Sequence, residues 1–194
     1  MKKIFLVSFI VFFILSDEAA AQEQQTPENY LIKYSGTGLP DTDSLIVYSM
    51  PGMFKIEEYF SIDGVSYQKF KYLIGKHLTI VDIRPGKKTG KRTDFDKESF
   101  NYIKNSIDPF GIQKYKDYSA PAGEETLLGY NCLIYENADG SRIWIYDDKY
   151  ILKVFDNTEN KDITAFEFIP NPQIDDSMFE IPQDVDVHSI YDSK

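Results

Sequence analysis

The stretch TLLGYNCLIYENADGSRIWIYDDKYILKVF, residues 126–155, decides the fold class. Runs of β-branched and aromatic residues alternate in it with short segments rich in Asn, Asp and Gly, at 137–140 and 147–149. This pattern is typical of antiparallel strands joined by tight turns. We predict strands over 126–136, 142–146, 150–155 and, after the next polar turn, 163–169.

The residues before this stretch follow the same pattern. Tyr30, Ile32 and Tyr34 alternate with smaller or polar residues, and apolar runs follow at 44–50, 54–60, 65–74 and 78–83. Asp63-Gly64 separates two of these runs and is a hairpin signal. We therefore predict a mainly β fold, a curved antiparallel sheet or an open half-barrel, in a single domain over 30–183. Residues 84–92 and 119–124 contain Pro and Gly and are predicted to be loops.

One helix interrupts the strands. Phe100, Ile103 and Ile107 have helical spacing, Asp96 is placed to cap the first turn, and Pro109 follows the last. The sequence therefore predicts a helix over 96–107, with at most one more helix elsewhere.

The first residues have the layout of a secretory signal peptide. Lys2 and Lys3 precede an apolar run over 4–16, and an A-x-A site ends at Ala21. The run is shorter than the roughly 20 apolar residues that span a bilayer, so we expect no membrane-spanning segment. Cleavage after Ala21 would leave Gln22, not a cysteine, at the new N-terminus, so we expect a periplasmic protein that is not a lipoprotein. Residues 22–29 are predicted to be a flexible lead-in, and 184–194 a loose acidic tail.

Charge and the scarcity of metal-binding residues exclude several classes of function. The net charge is −10, which argues against nucleic-acid binding. Two histidines and one cysteine are too few for a usual zinc site, so we predict no metal and no cofactor. The oxygen-bearing residues at 156–162 lack the glycine and the distal glutamate of a calcium-binding EF-hand. Cys132 and His77 are not accompanied by a recognisable catalytic partner, so we predict no enzymatic activity.

The segment RPGKKTGKR, residues 84–92, resembles a phosphate-binding loop only superficially. Three residues instead of four separate its glycines, and Arg92 stands where Ser or Thr is needed. What remains is a solvated loop or a cationic patch, formed by Lys87, Lys88, Lys91 and Arg92, for lipid headgroups or an acidic partner.

Aromatic side chains are abundant on the predicted strands. They either fill the core or line an apolar concavity that holds a lipid, which the helix over 96–107 would then cover. The candidate cavity residues are Tyr34, Phe54, Phe60, Tyr67, Phe70, Tyr72, Trp144, Tyr146, Phe166 and Phe168.

Two motifs stand out in the second half of the sequence. The first is the hairpin with Gly129-Tyr130-Asn131-Cys132 and Trp144; the second is the ending over 172–182, with Phe179 and Pro182. Both resemble motifs of the LolA/LolB-like superfamily of exported bacterial proteins and of related Bacteroidota domains of unknown function. The resemblance spans 28–183. It implies an open half-barrel over one or more helices, with an apolar cavity, and an activity in carrying lipoproteins or binding other lipids. Arg84 and Arg142 are the candidates here for that family's cavity arginine.

Two functions follow as expectations. The first is a non-enzymatic periplasmic protein that binds a lipid or a lipoprotein acyl chain in an apolar cavity. The alternative is an interaction or scaffold module of the cell envelope, with a filled core, no ligand, and a protein partner at 84–92.

Overall fold

The computed structural model describes residues 29–39, 43–115, 118 and 120–190. They are mainly β, with one α-helix, α1 (Phe100–Ile107), and 3-10 turns at Lys97–Ser99, Ile112–Tyr115 and Asp176–Phe179. The strands are β1 (Tyr30–Thr37), β2 (Ser44–Met50), β3 (Met53–Ile62), β4 (Val65–Ile74), β5 (His77–Arg84), β6 (Lys87–Asp94), β7 (Ala120–Leu127), β8 (Tyr130–Glu136), β9 (Arg142–Tyr146), β10 (Tyr150–Asp156), β11 (Lys161–Pro170) and β12 (Asp186–Ser189). The predicted leader, 1–21, and residues 22–28 of the lead-in lie outside the described residues.

All twelve strands belong to one open sheet. Their order is β12-β6-β5-β4-β3-β2-β1-β11-β10-β9-β8-β7. Neighbours are antiparallel except β12, which pairs with β6 in parallel over 186–189 and 89–92. The predicted fold class, a mainly β open antiparallel sheet with one helix, is confirmed.

The hairpin between β3 and β4 shows how local sequence sets this order. Asp63 and Gly64 both have positive φ, 52° and 77°, which a two-residue turn of this hand requires. Gly supplies that conformation without steric cost and Asp tolerates it. From β2 to β6 the register then runs without a bulge.

Three predicted boundaries are wrong. The predicted loop over 84–92 is a turn at Pro85-Gly86 followed by β6, and the predicted loop over 119–124 lies largely in β7. Pro121 is tolerated there because β7 is an edge strand with a bulge beside it. The predicted single strand over 126–136 contains a turn, because Leu128 and Gly129 adopt φ of 54° and 85°.

Paired residues share a face of a sheet, so the register of β1 to β6 defines two faces. The first, called here the helix face, carries the main core, with Tyr34, Val47, Phe54, Ile56 and Leu73 buried on it. Residues 95–115, called here the helical cover, pack against this face through partly buried Phe and Ile side chains.

The opposite face, called here the strap face, carries a smaller cluster of Phe70, Tyr72 and Val81. Residues 171–190, which follow β11 and are called here the strap, cross this face. Ile181 and Val185 of the strap pack against the cluster. The strap ends in β12, so residues 186–189 of the tail, which we expected to be loose, form a strand.

A buried ion pair fastens the strap. Lys55 Nζ lies 2.6 Å from Glu57 Oε1 and donates a hydrogen bond of 2.8 Å to the Met178 carbonyl. Glu57 in turn accepts a bond of 2.5 Å from the Tyr59 hydroxyl. Both charges are largely excluded from water and are partnered, as a buried pair requires.

Candidate functional site

The helical cover rests on the helix face without burying any residue of α1 completely. Phe100, Ile103 and Ile107 are partly buried against the core, as their spacing predicts, and Tyr102 is 76% exposed. Asp96 precedes the 3-10 turn, but its side chain makes no capping hydrogen bond. The cover therefore contributes less apolar burial than the strands beneath it.

Lys104 joins α1 to the sheet through polar and aromatic contacts. Its Nζ donates a hydrogen bond of 2.9 Å to Ser49 Oγ on β2. The same ammonium lies 5.5 Å from the ring centre of Tyr30 and 5.1 Å from that of Phe54, within the range of cation–π attraction. A charged group thus sits at the centre of the contact between helix and sheet.

The residues after α1 turn back into the core. Phe110 is buried, and its ring centre lies 4.1 Å from that of Tyr34. Tyr34 is fixed in its turn, because its hydroxyl donates a hydrogen bond of 2.8 Å to the Ile151 carbonyl. Phe110 is therefore the main apolar anchor of the helical cover.

Asp108 is a buried carboxyl group between these contacts. It accepts a hydrogen bond of 2.9 Å from the Phe110 backbone N–H. Burial raises the pKa of Asp108, while that hydrogen bond and the charges of Lys104 and Lys114 act in the opposite direction. Burial lowers the pKa of Lys114, which lies near Asp108. The Asp108 carboxyl thus lies in a poorly solvated place, where its charged form is disfavoured.

A cavity of about 120 Å³ remains between the helical cover and the helix face. This volume is below the roughly 300–1,000 Å³ of sites that enclose a drug-sized ligand. A larger ligand requires the cover to move. The cavity is lined by aromatic, aliphatic and charged side chains, which include Tyr30, Ile32, Tyr34, Val47, Lys104, Asp108, Phe110, Tyr150 and Ile151.

Tyr150 connects this cavity to a group of aromatic rings on β8 to β11. Its ring centre lies 5.2 Å from that of Tyr30 and 5.0 Å from that of Phe168. Phe168 also lies 4.9 Å from Tyr130 and 5.8 Å from Tyr146. Aromatic surface therefore continues beyond the cavity itself.

The ten predicted cavity residues do not form one lining. Tyr34 lines the cavity; Phe54, Trp144, Tyr146 and Phe168 belong to or pack against the main core. The other five lie elsewhere. Phe70 and Tyr72 are on the strap face. Phe60 and Tyr67 stack on the helix face with their ring centres 5.5 Å apart, and Phe166 is 52% exposed beside a bulge in the pairing of β1 with β11.

The predicted arginine candidates are also placed away from the cavity. Arg142 pairs with Glu136 at 2.5 Å on the surface of the sheet. Arg84 lies beside the stacked Phe60 and Tyr67 in a separate depression of about 220 Å³. Lys104, Asp108 and Lys149 are charged groups at the cavity that the sequence analysis missed, and only their positions in the fold identify them.

The predicted cationic residues lie on a strand, so alternation sends them to both faces. The register places Lys87 and Lys91 on one face and Lys88 and Arg92 on the other. Arg92 contacts Asp94 and His77, and Lys88 pairs with Asp184 of the strap.

Cys132 and His77 belong to opposite halves of the sheet, on β8 and β5. Cys132 is buried, and burial raises the pKa of its thiol, which disfavours the nucleophilic thiolate. His77 instead lies 2.6 Å from Asp94.

Comparison with known proteins adds three structural similarities. No family model and no curated protein matches the chain. Two crystal forms of PNGF-II, in space groups P21 and C2, align with 84% of this chain at 11% and 10% identity and a TM-score of 0.43. An uncharacterized conserved protein from Thermus thermophilus aligns with 82% of this chain and 89% of its own at 13% identity and a TM-score of 0.46. The chain spans only about a third of PNGF-II, 32% and 31% in the two forms.

No helix among the described residues has the length and apolar character needed to span a membrane.

Proposed function

We propose that the protein is an exported, periplasmic, non-enzymatic protein that binds a lipid or a lipoprotein acyl chain between the helical cover and the helix face. The observation that carries this proposal is the cavity beneath a helix with no fully buried residue. An acyl chain would contact the same aromatic surface of the helix face that the cover contacts in its absence. The signal-peptide pattern of residues 1–21 and the resemblance to LolA/LolB-like proteins support the same location and ligand class.

Binding requires the cover to separate from the sheet, since the cavity of about 120 Å³ holds only a small part of an acyl chain. The cover is suited to this movement. Of residues 95–115, only Asp108 and Phe110 are buried, and the apolar side chains of α1 are partly buried against the core. Segments with little buried apolar surface open at low free-energy cost.

Native mass spectrometry with solvent extraction tests the proposal on protein from a periplasmic fraction. A bound, extractable mass of a few hundred daltons or more is the expected result. The matched variants are Val47→Phe, which fills the cavity beneath the cover, and Val65→Phe, at an exposed position of β4. Val47→Phe should remove the bound mass, whereas Val65→Phe should retain it. An unliganded wild-type protein that also takes up no fatty acid or phospholipid in solution would overturn the proposal.

One observation favours a second candidate, an envelope interaction module. The main core is otherwise filled, and β6 brings four cationic side chains close to an edge of the sheet. In this candidate β6 contacts an acidic partner and the cavity stays closed. Charge reversal at Lys87, Lys88 and Lys91 should then weaken capture of that partner, and unchanged capture would count against this candidate.

A further inference from the structure

The end of the strap is attached to the sheet much more weakly than its beginning. Phe179 is 1% exposed and the neighbouring Met178 carbonyl is bound by Lys55. In β12, by contrast, three of the four residues are exposed, and Val187 is 36% exposed. Segments with few buried contacts open at lower free-energy cost than the fold as a whole, so β12 can detach while Phe179 stays in place.

The contact between β6 and β12 has three recognisable components. The first is backbone pairing, in parallel, over 89–92 and 186–189, which the Ile190 N–H extends by donating to the Arg92 carbonyl at 3.1 Å. Such pairing binds an extended segment regardless of its side chains.

The second component is a fit of small to large side chains. Gly90 lies opposite Val187, and a Cβ atom added to Gly90 would come within 2.9 Å of Val187 Cγ2 and 3.3 Å of Val185 Cγ1. The absence of a side chain at Gly90 therefore makes room for two valines spaced two residues apart. On the other face of the sheet, residues of β6 and β12 together line an open groove of about 670 Å³.

The third component is charge. β6 carries Lys87, Lys88, Lys91 and Arg92, and the segment against it contains Asp184 and Asp186. Lys88 pairs with Asp184, with both side chains substantially exposed. Exposed pairs stabilise little, but they select an acidic strand over a basic one.

We infer that β6 is a docking strand for an extended acidic segment of a partner protein, with alternating acidic and β-branched residues, and that β12 occupies this strand until the partner displaces it. The inference is independent of a ligand in the cavity. It rests on the second candidate function, the envelope interaction module, and specifies the chemical character of the partner segment that this module would bind.

A labelled peptide with the sequence of residues 183–190 tests the inference by fluorescence anisotropy. The wild-type chain should bind it weakly, because the tethered β12 competes at high effective concentration. The full-length variant Asp184→Lys/Asp186→Lys, in which β12 is repelled by β6, should bind the peptide at least about tenfold more tightly. Matched controls are the peptide with both aspartates replaced by lysine and the chain variant Lys153→Glu, which reverses a charge on β10, seven positions from β6 in the strand order.

Adding Gly90→Ala to the double variant should abolish binding, since the new Cβ would occupy the space of the peptide valine. Equal binding by wild type and double variant, or binding that survives Gly90→Ala, would overturn the inference. Dimers of the wild-type chain that exchange β12 would also overturn the inference, because the partner would then be a second copy of this chain. If the peptide fails to bind while charge reversal at Lys87, Lys88 and Lys91 still weakens capture of an envelope protein, this inference fails and the second candidate function stands.

Discussion

The two faces of the sheet are covered by segments of similar length but different construction. On the strap face, Phe179 is fully buried and the buried Lys55–Glu57 pair holds the strap by its backbone. On the helix face, α1 has no fully buried residue, and the cover leaves a cavity next to the buried carboxyl of Asp108. The difference indicates that the part of the strap around Phe179 is attached more firmly than the helical cover, and under the proposed function the helical cover is the part that moves to admit a ligand.

The largest effect should come from the strap. Phe179→Ala removes a ring that is 1% exposed, and such truncations in a core cost about 3–5 kcal/mol. We expect a loss of that size in the free energy of unfolding, measured with urea. The matched control is Met178→Ala, at a side chain that is 39% exposed, which should cost much less. A loss at Phe179 as small as at Met178 would show that the strap is not the stabilising cover.

The buried ion pair should show the second effect. Lys55→Ala leaves the Glu57 carboxylate largely excluded from water without its cation, and breaking a buried pair in this way costs about 3–5 kcal/mol. Lys55→Met combined with Glu57→Gln removes both charges, keeps an acceptor for the Tyr59 hydroxyl, and should restore most of the loss. Urea unfolding of both variants measures the difference. A double variant no more stable than the single one would show that the hydrogen bond from Lys55 to the strap, not the buried charge, dominates.

The helical cover should lose less from an equivalent change. Phe110→Ala removes a buried ring, but the residues of α1 are at most partly buried, so the helix can shift into the space that the ring leaves. We expect a loss of about 2 kcal/mol, below the usual range for a buried phenylalanine. In the same variant, amide hydrogen exchange of α1 should become faster while that of β3 and β4 changes little. Equal acceleration throughout the sheet would contradict an independently mobile cover.

Local patterns were sufficient to predict much of this architecture. Alternation in β1 to β5 and the spacing of Phe100, Ile103 and Ile107 gave the strands and the helix, because both depend on residues close in sequence. β6 and β12 were missed because their lysines and aspartates have the composition of a loop and a tail. Their pairing depends on Gly90 and on residues almost a hundred positions apart.

The candidate site was harder to predict for the same reason. Tyr34 was identified, since an aromatic residue on an alternating strand belongs in a core. No local pattern distinguishes Lys104 and Asp108 from surface charges, and only contact with β1 and β2 places them at the cavity. The aromatic residues were predicted as one group, but alternation sends strand side chains to two faces, and no local signal told which face has the cavity.

The smallest and most specific effect concerns Asp108. Burial raises its pKa above the ordinary 3.8, so the folded protein favours the protonated carboxyl. The protonated Asp108 carboxyl therefore contributes to the stability of the closed cover. This contribution is complete below the pKa that Asp108 has in the unfolded chain, and it is lost as the pH rises through the pKa that Asp108 has in the folded protein. The charged and phenolic groups that surround Asp108 are Lys104, Lys114, Tyr30, Tyr34 and Tyr115.

Protection of α1 against amide exchange, corrected for the intrinsic rate, should therefore fall in the wild type as the pH rises from the ordinary carboxyl pKa of 3.8 through the raised pKa of the folded protein. In Asp108→Asn the carboxyl is replaced by a neutral group that still accepts from the Phe110 N–H, so protection should stay nearly constant across that range. Asp63→Asn, at the exposed hairpin turn, is the control and should behave as the wild type. If Asp108→Asn keeps the wild-type pH profile, another group opens the cover. A flat profile would instead identify Asp108 as the residue through which pH adjusts access to the cavity, on the face whose cover can move.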